Sequence, residues 1–269
     1  MKILFISSKT DINVGSYRIW IHDLCGYFKE IGLDASIGHD VKDEKTVIIL
    51  GKSETSREYF YRKQYPDNII VLVNPPGYQK YSADLIITGS IEEMDSLRCN
   101  KRVVIFPLIE NRYRNVDFKD HHIDNKELVL GYHGSFTHLS KFHPHLSAAL
   151  EAFEKKCTFT LRIITNQNAP KWRSGRPNIN NIEIIEWDFN RFSKDILKCD
   201  IGLVPNITDA TPFFKRTSKA LGLYKTDYFL RMKNKSNPGR MFVFIQHGIP
   251  VIADITPSNL HILADPKNG

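Results

Sequence analysis

The sequence predicts an α/β protein built from two doubly wound parallel-sheet domains. Short apolar runs rich in Val and Ile alternate with helical segments, and strands that are separated by helices pack in parallel. The alternation stops near the middle of the chain and then restarts. A length of 269 residues is sufficient for two domains of modest size.

The first half contains apolar runs that are short and bounded by polar or turn residues, so each is predicted to be a strand. These strands cover residues 2–7, 34–37, 46–50, 69–73, 84–88 and 102–106. In parallel sheets of this kind, ligands bind beyond the carboxyl ends of the strands. The loops that follow the strands are therefore where a binding site is expected.

The helices of the first half begin after a polar loop, where Ser16 can cap a helix over residues 17–31. Its apolar residues recur at helical spacing and are predicted to share one buried face: Trp20, Leu24, Phe28 and Ile31. Gly32 is expected to end this helix. Shorter helices are predicted over residues 55–63 and after Ser90, and the second of them has a capping box at its start.

Residues 108–126 interrupt the pattern, because they are polar and charged and have no apolar period. We interpret them as a linker between an N-terminal domain, residues 1–107, and a C-terminal domain, residues 127–269. The elements predicted in the C-terminal domain are strands over 127–132, 159–165, 182–186, 200–204 and 251–253, and helices over 139–153 and 189–198.

A stretch near the C-terminus has the pattern of a phosphate site. Asn237 is predicted to cap a short apolar helix with Pro238 at its first position, and Gly248 to end it in a left-handed conformation. Lys235 and Arg240 flank the helix N-terminus, where free N–H groups attract phosphate. The arrangement suits a diphosphate. The alternative is an ordinary packing helix with two solvated cations.

The composition favours an anionic partner, since the formal net charge is +7. Four scattered cysteines without a paired motif argue against a zinc site and a disulfide framework, and fit a reducing compartment. The segment 206–234 interleaves basic and aromatic residues. It fits an amphipathic element at an anionic membrane surface, an insertion that grips the acceptor, or a solvated loop. Nucleic acid binding by stacked aromatics has no support from the fold and is not expected.

Three blocks of the second half, in their order and separation, resemble a known enzyme family. They are residues 131–135 followed by Lys141, residues 199–205, and residues 247–253. They look like the retaining glycosyltransferases of family 4, and residues 13–18 add to the likeness in the first half. The resemblance implies a GT-B fold, in which two Rossmann-like domains face a cleft.

The resemblance also implies roles for individual residues. Lys141 matches the family lysine that neutralises the leaving diphosphate, and Arg240 and Lys235, the two cations at the helix start described above, would add to its charge. The residues expected to bind the donor are Gly15, Ser16, Arg18, His133, Gly134, Ser135, Ser236 and Asn237. Neither a metal nor a cofactor is implied, since the nucleotide-diphosphate sugar is the substrate. The sequence departs from the family at Ser135, where an arginine is common, so that Arg240 or Arg18 would supply the charge. A glutamate pair of the family falls on Lys235 and Val243.

We therefore expect a cytoplasmic, metal-independent glycosyltransferase that moves a sugar to a glycan or lipid-linked acceptor with retention of configuration. Its place would be the cytoplasm or, peripherally, the inner face of an anionic membrane. The alternatives are a sugar-nucleotide epimerase or hydrolase of the same fold, and a non-catalytic module that binds a sugar nucleotide or an anionic polymer.

The resemblance ends at residues 265–269, before the last strand and helices of the family fold. We therefore expect the C-terminal domain to be incomplete, with the parent chain continuing or a partner chain, including a second copy, covering the exposed face. The residues expected to be under-packed are Ile252, Ile255, Leu260, Ile262 and Leu263.

Overall fold

The computed structural model describes residues 2–41, 46–76, 80–97, 102–106, 109–121, 127–142, 145–166, 175–206 and 237–264. The chain divides into two compact units, Met1–Asn111 and Arg112–Gly269. Each unit contains one sheet, and every described strand pair is parallel. No described helix is both long enough and apolar enough to cross a membrane.

The first unit has a six-stranded sheet in the order β2-β1-β3-β4-β5-β6. Its strands are β1 (Lys2–Ile6), β2 (Asp34–Ile37), β3 (Thr46–Leu50), β4 (Ile70–Val73), β5 (Leu85–Thr88) and β6 (Arg102–Ile105). The register is set by pairs such as Ile6 opposite Leu50. Separate apolar clusters cover its two faces, one centred on Trp20 and the other on Tyr61. The unit is therefore doubly wound, as predicted.

The helical stretch after β1 is not a uniform α-helix. It consists of α1 (Gly15–Tyr17), a π-helical segment (Arg18–Asp23) and α2 (Leu24–Glu30). Trp20 and Leu24 are buried as predicted, but Ile31 is 55% exposed. The prediction for Ile31 is wrong because a π-helical turn holds more residues than the 3.6 of the α period, and because α2 ends at Glu30.

The remaining helices of the first unit are short. α3 (Glu58–Gln64) follows a 3₁₀ turn, and α4 (Ile91–Ser96) follows β5. The hydroxyl of Ser90 accepts from the Glu93 N–H at 3.1 Å, and the Glu93 carboxylate accepts from the Gly89 N–H at 2.8 Å. The helix start is thus capped from both directions, as the capping-box pattern predicted.

The second unit has a five-stranded sheet in the order β11-β10-β7-β8-β9. Its strands are β7 (Leu128–His133), β8 (Phe159–Thr165), β9 (Ile182–Glu186), β10 (Ile201–Val204) and β11 (Val251–Ala253). Its helices are a 3₁₀ helix (Phe136–Phe142), α5 (His145–Glu154), α6 (Phe192–Ile196), α7 (Gly239–Gln246) and α8 (Pro257–Leu263). The single helix predicted over 139–153 is two elements, because Pro144 lacks the N–H that a continuous helix would need.

The segment predicted as a linker is described from residue 109 to 121. Its 112–121 part packs on the second unit, where the Tyr113 side chain is buried. The Lys119 ammonium lies 2.9 Å from Oδ1 of Asp200, and the Lys119 N–H donates to the His247 carbonyl at 2.8 Å.

Helix α7 lies unusually close to the sheet at Gly202. A Cβ atom at this position would stand 2.5 Å from the ring of Phe244, so only glycine allows the contact. The close approach packs the second half of α7, which carries Phe244, against the start of β10. Gly248 ends the helix with φ of +69°, as predicted.

The apolar residues predicted to be under-packed differ from one another. Ile252, Ile255 and Leu260 are 59%, 73% and 52% exposed, whereas Ile262 and Leu263 pack against the core. The basic-aromatic segment lies outside the described residues from 207 to 234.

Candidate functional site

The candidate site lies at the carboxyl edge of the second sheet. Adjacent strands β7, β10 and β11 end there, followed by Gly134, Pro205-Asn206 and Asp254. The first turn of α7 carries Arg240 to the same edge, as its contacts with residues 205 and 206 show. Ligands of doubly wound sheets bind at this edge.

Arg240 has only part of its hydrogen-bonding capacity in use. Its Nη2 donates to the carbonyl of Pro205 at 2.9 Å and to Oδ1 of Asn206 at 2.8 Å. The guanidinium carbon lies 5.4 Å from the ring centre of Tyr132. The Nη1 atom is buried, and it has no hydrogen-bond partner in the described part of the chain. No described carboxylate forms an ion pair with Arg240.

Asn206, which contacts Arg240, carries the second open donor. The residue is 1% exposed, and its backbone N–H donates to Oδ2 of Asp254 at 2.6 Å. Its Nδ2 is buried and, like Arg240 Nη1, lacks a partner among the described residues. A buried donor without a partner costs about 1–3 kcal/mol, so native proteins rarely keep one without a reason. Two such donors, one of them cationic, are suited to an anionic ligand.

Asp254 supports this arrangement from the neighbouring strand. Its N–H donates to the Val204 carbonyl at 3.3 Å, and its carbonyl accepts from Nδ2 of Asn259 at 2.9 Å. Thr256 caps α8 by accepting from the Asn259 N–H at 3.2 Å. These bonds fix the backbone of Asp254, and its carboxylate in turn holds the backbone N–H of Asn206.

Gly134 lies against Arg240. Its φ is +136°, and a Cβ atom would stand 3.1 Å from Cδ of Arg240 and 3.3 Å from Oη of Tyr132. A side chain here would displace the arginine. The Gly134 N–H donates to the Ile164 carbonyl at 3.2 Å, and the exposed Ser135 has its carbonyl engaged by the His138 N–H at 2.9 Å.

His133 is a buried histidine that holds the helix start. Its Nε2 lies 3.1 Å from the Arg240 carbonyl and therefore carries the hydrogen, since a carbonyl only accepts. The ring packs edge-to-face on Phe192 and Phe244. Burial lowers the pKa of His133 to about 3, against the smaller raising effect of the Arg240 carbonyl. The imidazole is therefore neutral at physiological pH.

The start of α7 differs by one residue from the predicted start. The helix begins at Gly239, not Pro238, and Oδ1 of Asn237 accepts from the Gly239 N–H at 3.3 Å. Asn237 thus still satisfies a free backbone N–H. Val243, on which a family glutamate falls, is 2% exposed and packs in the core.

The other predicted site residues are distributed as follows. Lys141 lies in the 3₁₀ helix Phe136–Phe142, whereas Lys235 and Ser236 lie outside the described residues. Gly15 and Ser16 begin α1 in the first unit.

Arg18 is also in the first unit, and it is 6% exposed. Its Nε lies 3.0 Å from Oε2 of Glu110, and its Nη1 donates to the Ile12 carbonyl at 2.8 Å. These contacts tie the helical stretch to the segment after β6.

Asn206, Tyr132 and Asp254 were missed by the sequence analysis. The available signal was that Asp254 directly follows a predicted strand and that Asn206 lies two residues after another. Within the described ranges, no group of three or more His, Cys, Asp or Glu side chains is arranged to hold a metal ion.

Comparison with known proteins gives structural matches only. No protein-family model matches the sequence, and no curated protein matches it significantly. The solved apo structure of the lipopolysaccharide outer core galactosyltransferase WaaB matches with a TM-score of 0.56 at 13% identity. The match covers 97% of this chain and 83% of that one.

Two further structures match with lower TM-scores. The pneumococcal O-GlcNAc transferase GtfA, in complex with UDP and GlcNAc, has a TM-score of 0.49 at 13% identity, over 91% of this chain and 47% of that one. The DNA-modifying enzyme β-glucosyltransferase has 0.44 at 14% identity, over 78% of this chain and 72% of that one. With the two parallel-sheet units, the match to the galactosyltransferase confirms the predicted GT-B fold class.

Proposed function

We propose that this protein is a glycosyltransferase that uses a nucleotide-diphosphate sugar, and that Arg240 and Asn206 bind the diphosphate of the donor. The observation on which this depends is the pair of buried, open donors, Arg240 Nη1 and Asn206 Nδ2. Arginine binds phosphate through parallel N–H bonds, and charge-assisted bonds are the stronger ones. A diphosphate would satisfy both donors and the charge of Arg240, which forms no ion pair within the described residues.

The chemistry requires stabilisation of a leaving group. The bond between the anomeric carbon and the diphosphate oxygen breaks, an acceptor hydroxyl oxygen bonds to that carbon, and the hydroxyl proton passes to the leaving diphosphate. Negative charge grows on the diphosphate in the transition state, so a fixed cation in a site shielded from water lowers the barrier. Arg240 lies against Gly134, next to the position where the resembled family has an arginine. It would therefore supply that charge.

The finer assignment follows the family resemblance. We infer family 4 chemistry with retention of configuration and without a metal, in which Lys141 and Lys235 assist Arg240. His133 and Gly134 position Arg240, while Ser135, Ser236 and Asn237 bind the donor. In the first unit, Gly15 and Ser16 contact the donor and Arg18 acts structurally.

The domain roles and partners belong to the same proposal. Residues 127–269 would bind the donor and residues 1–107 the acceptor, with 108–126 between them. The acceptor is a glycan or a lipid-linked glycan, and the similarity to a galactosyltransferase of the lipopolysaccharide outer core supports this class. The enzyme would act in the cytoplasm, with peripheral contact to an anionic membrane through the segment 215–233. Nucleic acid is not a partner, and association of two copies through the exposed Ile252 face is compatible with this role.

A non-catalytic sugar-nucleotide module is the second candidate, and one observation favours it. Val243 is buried in the core where the family has a glutamate near the ligand, so no carboxylate can act there. An epimerase or hydrolase of the same fold is distinguished by turnover of the donor without an acceptor.

A thermal-shift panel tests the proposal. We expect one nucleoside diphosphate to raise the melting temperature clearly more than its nucleoside does, because only a ligand of the native state stabilises it. Incubation of that nucleotide's sugar derivatives with and without glycan acceptors then separates transfer from hydrolysis and from binding alone. Absence of any shift across the panel would exclude a nucleotide-sugar enzyme.

A further inference from the structure

The first unit has a cavity of its own, at the carboxyl edge of its sheet. Its volume is about 180 Å³, and its lining includes Ser7, Lys9, Ser16, Ile21, Lys52 and Ser53. This is less than the roughly 300–1,000 Å³ of sites that hold a whole small molecule. The cavity is therefore suited to one compact group of a larger ligand.

The fold brings the lining together through a close contact at Gly51. The Gly51 N–H donates to the Ile6 carbonyl at 3.0 Å, and a Cβ atom on Gly51 would stand 2.8 Å from Cδ1 of Ile21. Glycine thus allows the helical stretch to approach the end of β3. Lys52 and Ser53 consequently lie beside the same cavity as Ser16.

The charge at this cavity is positive and is not balanced locally. Lys9 and Lys52 are exposed, and neither has an ion pair among the described residues. No carboxylate belongs to the lining. The carboxylate of Glu54, which follows Ser53, is already occupied: it accepts from the Ser8 N–H at 2.8 Å and pairs with Arg57 at 3.0 Å.

Hydroxyl groups complete the set. The Ser53 hydroxyl belongs to the lining and donates to Oε1 of Glu54 at 3.2 Å, whereas Ser16 is assigned to the donor. The Ser7 hydroxyl shapes the loop, because it donates to the Lys9 carbonyl at 2.9 Å and accepts from the Lys9 N–H at 3.2 Å. Two lysines beside the Ser53 hydroxyl are suited to the several oxygens of a phosphate, for which lysine serves as a point charge.

We propose that this cavity binds a phosphate group on the acceptor. The inference rests on the proposed function, in which Arg240 in the other unit already binds the diphosphate of the donor. The phosphate held by Lys9 and Lys52 is a second one, and it selects acceptors that carry a phosphate ester. Such an ester occurs on a soluble sugar or glycerol phosphate and on a lipid headgroup.

Amine labelling read by mass spectrometry tests this residue by residue. We expect glycerol 3-phosphate to slow the labelling of Lys9 and Lys52, and glycerol to have no effect. In Lys9→Ala, the concentration that half-protects Lys52 should rise by about fivefold or more, since one of two charge-assisted contacts is lost. Lys63→Ala is the matched control, because Lys63 is exposed on α3 in the same unit. It should leave the protection of Lys52 unchanged.

Three outcomes would overturn the inference: no protection by either glycerol 3-phosphate or phosphatidylglycerol vesicles, equal protection of Lys63, or protection of Lys52 that is unaffected in Lys9→Ala. A fourth would be a loss of pyrophosphate binding in Lys9→Ala/Lys52→Ala as large as in Arg240→Gln, which would assign the cavity to the donor. If Arg240→Gln retains pyrophosphate binding while Lys9 and Lys52 are protected, the donor proposal fails and the phosphate site stands. Protection by phosphatidylglycerol vesicles but not by glycerol 3-phosphate identifies a lipid headgroup as the source, and the reverse identifies a soluble ester.

Discussion

The Nε2 atom of His133 donates to the carbonyl of Arg240 at 3.1 Å, so a neutral, buried histidine fixes the helix start that carries the open guanidinium. The contact joins the end of β7 to the first turn of α7. The position of Arg240 therefore depends on an imidazole that stays neutral, with its hydrogen on Nε2. A second proton, on Nδ1, would place a charge in an apolar pocket.

The first prediction concerns pH. Because burial lowers the pKa of native His133 to about 3, the unfolded chain binds a proton that the native protein does not. The contribution of neutral His133 to the free energy of unfolding is fully present above the unfolded pKa of about 6.5. It falls as the pH drops towards 3, by up to about 1.4 kcal/mol per pH unit. Glutamine keeps a hydrogen-bond donor at this position but does not titrate. In urea denaturation, the free energy of unfolding of His133→Gln should therefore depend less steeply on pH, because up to one proton fewer is taken up on unfolding. The same slope in both proteins would contradict the assignment.

The second prediction concerns Gly134. Alanine at this position is strained at φ of +136° and meets Cδ of Arg240 at 3.1 Å, so the guanidinium should move. We expect Gly134→Ala to weaken pyrophosphate binding by about tenfold or more. Gly26→Ala, where a Cβ atom has nothing within 4 Å, should bind pyrophosphate like the wild type. Unchanged binding in Gly134→Ala would separate this turn from the site.

The third prediction concerns stability at Gly202. A methyl group there would overlap the Phe244 ring, which lies 2.5 Å from the Cβ position. Gly202→Ala should lower the free energy of unfolding by about 1–3 kcal/mol, as overpacking of a core does. Gly26→Ala in α2 should instead raise it by about 0.5–1 kcal/mol, because alanine favours the helix. Thermal or urea denaturation measures both, and equal effects would disprove the close packing of α7.

The fourth prediction concerns Lys141. If its ammonium neutralises the leaving diphosphate, Lys141→Ala should reduce transfer by about 100-fold or more while the far-ultraviolet circular dichroism stays unchanged. Lys156→Ala, an exposed lysine after α5, is the control and should retain full activity. Near-normal turnover in Lys141→Ala would remove this residue from the mechanism.

Most of the fold could be predicted because strands of this class are marked locally. A short run such as Ile70–Val73 is apolar on both faces, and all of its residues are buried. Failures occur where backbone geometry departs from the regular period. The π-helical segment Arg18–Asp23 changes the residue spacing, and no propensity in the sequence marks it.

The candidate site was predictable only in part. Arg240 was identified because a cation at a helix start is a local pattern, and Gly134 was identified through the family resemblance. Asn206 was not, because its role depends on a contact with Arg240, which is 34 residues further along the chain. Arg18 likewise has its partner Glu110 at a separation of 92 residues, so its ion pair could not be foreseen.

Calorimetric titration with inorganic pyrophosphate tests the central claim most directly, because pyrophosphate has the diphosphate of every such donor and none of its base or sugar. The proteins to compare are the wild type, Arg240→Gln and the control Arg176→Gln, in which an exposed arginine of the same unit loses its charge. We predict that Arg240→Gln weakens binding by about tenfold or more and that Arg176→Gln binds like the wild type. Equal affinities in all three proteins would contradict the assignment of Arg240 to the donor diphosphate.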